Sequence, residues 1–374
     1  MKKNEVTEKI EINKIINSDT IEALKRLPDN SVDLIFVDPP YWMRVEGELT
    51  RVNGDVYNGC DEAWDNQFRS LESYQEFTKS WIEQCLRVLK KNGSFWVIGG
   101  MQCIYTIGSL MQELGMWIIN DVIWCKTNPT PNFKGTRLNN SHETLIWAVK
   151  NSKSRFTFNY KTAKELNKDT VNEFDFAEGV RKQMTSVWKI PICQGNERLK
   201  DEQGKKLHAT QKPEELLYRI LAISSKVGDL ILDPFGGTMT TAAVAKRMGR
   251  NFIAIDNNEK YCLYGQNRVD NVEVSVGNIE NAVYDISPPK AKFEDMISEG
   301  YFIVGEELFY KNKSYLRLTE KGKGINANGK VVDIHSGIAA VIGGASSRLN
   351  GWDYWQVIRD GVFIDINDLR KKYL

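Results

Sequence analysis

The segment LILDPFGGTMTTAAVAKRMGRNFIAIDNN, residues 230–258, constrains the fold more than any other stretch of the chain. An apolar run stops at Asp233, two glycines open a helical stretch, and a second apolar run stops at Asp256. A strand, a glycine turn, a helix and a strand in that order read as a βαβ unit, so the chain is expected to be α/β with a mostly parallel sheet. Gly236 and Gly237 allow backbone to come close to a ligand, and Thr238, Thr240 and Thr241 can cap the helix. Asp256 follows the turn at the distance where an acid binds both hydroxyls of a ribose. Ordinary packing of a βαβ unit would use the same glycines, so the spacing admits both a nucleoside site and a plain turn. Asp233 narrows the ligand. An acid inside the turn repels phosphate and favours a cation such as a sulfonium, which fits S-adenosylmethionine and does not fit a dinucleotide.

A second strand, VDLIFV (32–37), ends on Asp38-Pro39-Pro40-Tyr41. An amine attached to a heteroaromatic ring is a poor nucleophile because its lone pair is delocalised into the ring. Two rigid acceptors, the Asp38 carboxylate and a main-chain carbonyl of the Asp38-Pro39-Pro40 turn, would draw it toward tetrahedral geometry, and prolines keep such acceptors from relaxing away. Tyr41, with Trp42 beside it, offers a face on which a planar ring can stack. A turn whose acid merely caps a neighbouring helix is the alternative for an isolated D-P-P.

The α/β rhythm extends on both sides of these segments. Ser18 or Asp19 can cap a helix over TIEALKRL. Further helices are expected at 73–90, 103–114, 213–225, 239–248 and 258–270, and strands at 94–99, 117–124, 143–149, 229–233 and 251–256. Between about 42 and 70 lies a polar loop holding Arg44 and Arg51. Around SPPK (287–290) the composition changes, which divides the chain into residues 1–284 and a smaller α+β or β-rich module, 285–374. The formal net charge of the 374 residues is +1, yet residues 126–212 hold seventeen lysines and arginines against nine acids. That basic middle fits a polyanion, although a solvated surface would look the same. No run is long and apolar enough for a membrane span. The six cysteines are scattered without C-x-x-C pairing, and with three histidines no metal site is expected, so the chain reads as a cytoplasmic protein.

Asp233-Pro234-Phe235-x-Gly237-x-x-Thr240-Thr241, HATQKP (208–213) and Asp38-Pro39-Pro40-Tyr41 together resemble the motifs of the β-class DNA amino-methyltransferases, in that class's permuted order. The segments NSVDLIFVDPPYWMRVEGELTRVNGD, NDVIWCKTNPTPNFKGTRLNNSHETLIW and NGWDYW extend the resemblance along the chain to the HinfI-type and cell-cycle-regulated adenine methyltransferases. The resemblance implies a Rossmann-like S-adenosylmethionine-dependent fold with a mixed, mostly parallel sheet. It also implies adenine-N6 methylation in 5′-GANTC-3′ after base flipping, with Asp in first position favouring adenine over cytosine-N4. Asp38, Pro39, Pro40 and Tyr41 would be catalytic. Asp19, Asp38, Gln211, Lys212, Pro213, Asp233, Phe235, Gly236, Gly237, Thr238, Thr240, Thr241 and Asp256 would bind the cofactor, Asp19 meeting its adenine or serving as an N-cap. DNA contacts are expected from Arg44, Arg51, Asn132, Lys134, Arg137, Asn139 and Asn140. In the C-terminal, DNA-binding module they are expected from His335, Arg348, Asn350 and Trp352, the last as a wedge unless it sits in a core. A homodimer, common in the class, and a restriction endonuclease partner in the host are further implications.

One departure stands out. Met239 replaces the last glycine of the loop, so the turn is expected to be strained or the methionine end of the cofactor crowded, and a DNA-binding protein that has lost catalysis is the competing reading. The segment 168–184 is longer than the group's pattern suggests.

Overall fold

In the first of two units, residues 1–286, the strand that ends on Asp38 runs at the centre of an eight-stranded sheet ordered β1-β10-β9-β2-β5-β7-β6-β8. The computed structural model describes residues 11–43, 68–131, 137–167, 183–286, 291–342 and 349–374, together with the backbone of 49–50 and 56–57. The first five strands of the sheet order are β1 (Lys14–Asn17), β10 (Asn251–Asp256), β9 (Leu230–Asp233), β2 (Val32–Val37) and β5 (Leu89–Gly99), all parallel. β7 (His142–Val149) runs antiparallel to both β5 and β6 (Trp117–Lys126), and β8 (Val187–Ile190) closes the edge parallel to β6. A two-residue ribbon pairs β3 (Leu49–Thr50) with β4 (Val56–Tyr57).

Alternation along β2 explains why it is apolar from Leu34 to Val37. Leu34 and Phe36 enter one core with α5 (Glu214–Ser224) and α6 (Thr240–Arg247). Ile35 and Val37 enter the other, with α1 (Thr20–Arg26), α2 (Leu71–Val88) and α3 (Ile104–Glu113). Successive side chains point to opposite faces, so the stretch of a strand covered on both sides is apolar at successive positions, and Asp33, near its start, is only partly buried and paired with Lys90. α4 (Tyr160–Leu166) and α7 (Glu259–Asp270) complete the unit.

The long elements follow the periodicity, whereas β1, β8 and α4 do not come from it. Four-residue strands at sheet edges show too few alternations to register, and β8 is recruited by pairing with β6. β6 carries a register shift between Ile118 and Asn120, which interrupts its alternation.

The second unit, residues 287–374, is an antiparallel sheet ordered β14-β13-β12-β11-β15-β16. Its strands are β11 (Glu307–Tyr310), β12 (Lys313–Leu318), β13 (Gly324–Asn326), β14 (Val331–Val332), β15 (Gln356–Arg359) and β16 (Val362–Asp365). α8 (Phe293–Ser298), α9 (Ile334–Ile342) and α10 (Ile366–Tyr373) accompany it, around a core of Leu308, Leu316, Ile338, Trp355 and Val357. Among the described residues no helix is long and apolar enough to cross a membrane.

Candidate active site

Four acids stand at the carboxyl ends of four adjacent parallel strands. Asp19 follows β1, Asp256 ends β10, Asp233 ends β9 and Asp38 follows β2. Ligands of open α/β sheets bind at this edge. All four acids line one cavity of about 430 Å³ with Thr20, Phe77, His208, Phe235, Gly236, Gly237 and Tyr261.

The glycine turn and Asp256 hold each other in place. Gly237, at φ +51°, donates its N–H to Asp256 Oδ2 at 2.8 Å, and Asn258 N–H donates to Oδ1 at 2.8 Å. Asp233 is almost fully buried, and burial pushes its carboxyl up to about 7. The Thr241 hydroxyl at 2.5 Å and the Phe235 N–H at 3.1 Å act in the opposite sense. A buried acid so short of compensation suits a cationic ligand. Thr241 is therefore spent on Asp233, while Thr240 receives a bond from Arg268 at 3.0 Å and lies 3.3 Å from the Thr238 hydroxyl. None of the three threonines caps α6; that position belongs to Met239, without a side-chain bond.

Met239 resolves into two findings. Its backbone is left-handed, φ +57° and ψ +33°, as the expected strain requires. Its side chain is fully buried, is not in the cavity wall and fills the space beside Gly236 and Gly265. A Cβ on Gly236 would stand 2.6 Å from the Met239 sulfur.

On β2, Asp38 Oδ2 accepts from Lys212 Nζ at 2.7 Å and Oδ1 from the Tyr41 hydroxyl at 3.0 Å. Burial raises the Asp38 pKa despite Lys212. The Tyr74 hydroxyl donates to the Pro40 carbonyl at 3.0 Å, which fixes the turn. Trp42, left-handed at φ +52°, is not a platform for a base. Its ring stacks on Tyr74 with centroids 5.6 Å apart, and its indole N–H donates to the Phe68 carbonyl at 3.1 Å.

Of the remaining expected cofactor residues, Asp19 accepts the Glu22 N–H as the N-cap of α1 while also lining the cavity. Gln211 lines it too, yet its amide is engaged by the backbone of Glu197 and Leu199. Pro213 precedes α5 and is not in the cavity wall, and Lys212 lies on Asp38. The histidine of HATQKP folds its own turn, accepting the Thr210 N–H at 3.1 Å, and burial lowers its pKa to about 4.

Two residues that the sequence reading passed over complete the centre. Glu143 Oε2 accepts from the Tyr41 hydroxyl at 3.0 Å, and its Oε1 from Lys126 Nζ at 2.7 Å. Because β7 is antiparallel, its beginning lies where β2 ends, and no local pattern in SHETLIW signals that.

Arg137, Asn139 and Asn140 are exposed in the connection that leaves and re-enters the sheet at this same edge. Arg44, Arg51, Asn132, Lys134 and Arg348 lie outside the described residues. In the second unit Asn350 is exposed and His335 accepts the Gly351 N–H at 2.8 Å. Trp352 is packed inside that unit, stacked on Phe293 at 4.6 Å with the Arg370 guanidinium 5.1 Å from its ring centre, so as packed it cannot wedge between base pairs. Among the described residues no side-chain cluster could hold a metal ion.

Residues 32–267 match the DNA methylase family, which spans both the acid-proline turn and the glycine turn. The chain belongs to this DNA methylase family. The methylase is 44% identical over 362 residues to the Type II methyltransferase M.HinfI of Haemophilus influenzae, with 97% of each chain covered. It is 39% identical over 257 residues to the Type II methyltransferase M2.DpnII of Streptococcus pneumoniae, covering 68% of this chain and 89% of that one. The PvuII DNA methyltransferase (cytosine-N4-specific) shares the methylase's fold at 18% identity, with a TM-score of 0.50, 73% of this chain and 90% of that chain covered. The cofactor of the methylase is S-adenosylmethionine, and the cavity fits it: one buried acid for a cation, one acid hydrogen-bonded to the glycine turn, and aromatic walls.

Proposed function

We propose that the protein methylates adenine N6 in duplex 5′-GANTC-3′ after rotating the base out of the stack. One observation carries this reading: Asp38, on its proline turn, opens into the same cavity as Asp233, Gly237 and Asp256. Asp256 would hold the ribose hydroxyls, Asp19 the adenine edge and Asp233 the positive end of the cofactor, with Phe235, Gly236 and the threonine-lined turn shaping the wall. S-adenosylmethionine supplies an electrophilic methyl group. Asp38 accepts one N–H of the target amine and a carbonyl of the turn accepts the other, so the nitrogen becomes tetrahedral and its lone pair is freed from conjugation with the ring, which stays aromatic. Tyr41 gives the extruded base a rigid surface, its hydroxyl pinned at two points.

The likeness to M.HinfI along nearly the whole chain supports the GANTC target, and Asp at position 38 supports adenine over cytosine. Arg137, Asn139, Asn140, His335 and Asn350 would meet DNA, as a homodimer in the cytoplasm alongside a cognate endonuclease. Label from tritiated cofactor is expected in a GANTC duplex and not in a GTNAC duplex; equal labelling of the two would remove the specificity.

Cofactor binding should depend on pH through Asp233. A cation binds the ionised carboxylate, so below about pH 7 the acid must release a proton to bind it, and affinity falls by up to about tenfold per pH unit. Calorimetric titrations between pH 5.5 and 8 measure this, and Asp233→Asn should flatten the profile. A wild-type affinity that rises on acidification would exclude Asp233 from the cation site.

A further inference from the structure

Asp38 Oδ2 is paired with the Lys212 ammonium at 2.7 Å, and the single proton of the Tyr41 hydroxyl is shared between Asp38 Oδ1 and Glu143 Oε2, each 3.0 Å away. Lone pairs remain for an incoming amine, but the ammonium neutralises the carboxylate and weakens it as an acceptor, so the amine is held best when Lys212 moves off. Lys212 is buried, and a buried ammonium cannot be cast off without a second partner. Glu143 is placed to be that partner. Its Oε2 is 3.9 Å from Lys212 Nζ, and it already shares the Tyr41 hydroxyl with Asp38.

We propose that Glu143 is a positioning residue that receives the Lys212 ammonium when the target amine takes Asp38. The inference rests on the reading of Asp38 as the amine acceptor. The shift needs only about 1 Å to reach ordinary ion-pair distance. It runs over the face of Tyr41, whose ring centre is 5.2 Å from Nζ, so the cation is not stripped of favourable contacts on the way. No proton changes hands. Lys126 and Lys212 face Asp38 and Glu143 before the shift and after it, and the cluster stays neutral overall. The charge states agree with this. Burial opposes the charge on Glu143, but Lys212 and Lys126 outweigh it and hold its pKa below the ordinary value. Burial likewise opposes the Lys212 charge, and Asp38 and Glu143 outweigh it and hold that pKa above the ordinary value. Burial, with the two carboxylates adding to it, pushes the Cys103 thiol up to about 12 and the Tyr41 hydroxyl well above its ordinary value, so both remain protonated.

Glu143→Gln preserves shape and an acceptor for Tyr41 but removes the charge that would draw Lys212 away. Its single-turnover methyl transfer to a GANTC duplex is expected to fall by roughly thirtyfold or more. Cofactor affinity, read by calorimetry, should stay within about twofold, because Glu143 is not in the cavity wall. Fluorescence of 2-aminopurine at the target position should also be unchanged, since that base enters the pocket without a 6-amino group. Glu143→Asp, which keeps the charge, should recover part of the rate. Adding Lys212→Met to Glu143→Gln should also recover rate, because the competitor for Asp38 is gone. A Glu143→Gln protein with wild-type rate, losses that simply multiply in the double variant, or loss of cofactor binding or of the 2-aminopurine signal would each overturn the proposal. A wild-type enzyme that leaves the GANTC adenine unlabelled would instead refute the adenine reading, before any variant is made.

Discussion

Asp38→Ala is expected to lower the methyl-transfer rate by roughly 10³-fold or more while cofactor affinity changes only a few-fold. The loss is large because the carboxylate acts on the attacking nitrogen itself. Without it, one N–H of the amine has no acceptor, and the lone pair remains in the ring as the methyl group approaches. Cofactor affinity should survive because Asp256, Asp233 and the Gly237 turn sit on β9 and β10 and are not hydrogen-bonded to Asp38. Lys212 loses its 2.7 Å partner in this variant but keeps Glu143 within 3.9 Å, which limits the cost of a stranded charge. Asp38→Asn keeps an oxygen acceptor without its charge and should fall between the two. Single-turnover kinetics with saturating duplex and calorimetry with S-adenosylmethionine measure the two effects separately. An Asp38→Ala enzyme that turns over normally would leave the proline turn without a chemical role.

The second large effect is on stability, and it concerns two residues that do not touch the target. Gly265→Ala is expected to destabilise the first unit by about 2–3 kcal/mol, because the added methyl overlaps the buried Met239 side chain, which has no free space to enter. Met239→Gly removes left-handed strain of about 1–2 kcal/mol but also a fully buried side chain, a loss of about 2–5 kcal/mol, so it should also destabilise. Combined, the new methyl occupies part of the vacated volume. The double variant should then be more stable than the sum of the single losses predicts, by about 1–2 kcal/mol. Urea unfolding of the four proteins gives the coupling directly, and strictly additive losses would show that the two side chains do not share one space. The physical point is that Gly265, on α7, lets a methionine stand where the resemblance calls for a glycine without entering the cofactor cavity.

That pair also marks a limit of reading along the chain. Met239 was legible as a departure, and its left-handed backbone was legible as a risk, because a glycine position in a strand-to-helix turn is a local property. Where its side chain goes depends on a glycine 26 residues later, across a helix packing that no periodicity reports. The threonines after the turn misled in the same way. They look like caps, but a buried carboxylate without enough partners is a stronger claimant for a hydroxyl than a helix end, so Thr241 serves Asp233. Trp352 and Trp42 looked like surfaces for bases, and each is instead held in a core by stacking.

The sequence by itself determined the α/β class, the long strands, and the acids that end two of them, because two-residue alternation, glycine turns and proline-stiffened ends act within a few positions of one another. Only the tertiary structure decided that those acids share one edge, that Lys212 rests on Asp38, and that Glu143 and Lys126 complete the cluster. Parallel and antiparallel pairing brings residue 143 beside residue 41, and that juxtaposition arises from strand order, which burial on both faces of the sheet selects and no short stretch of chain encodes.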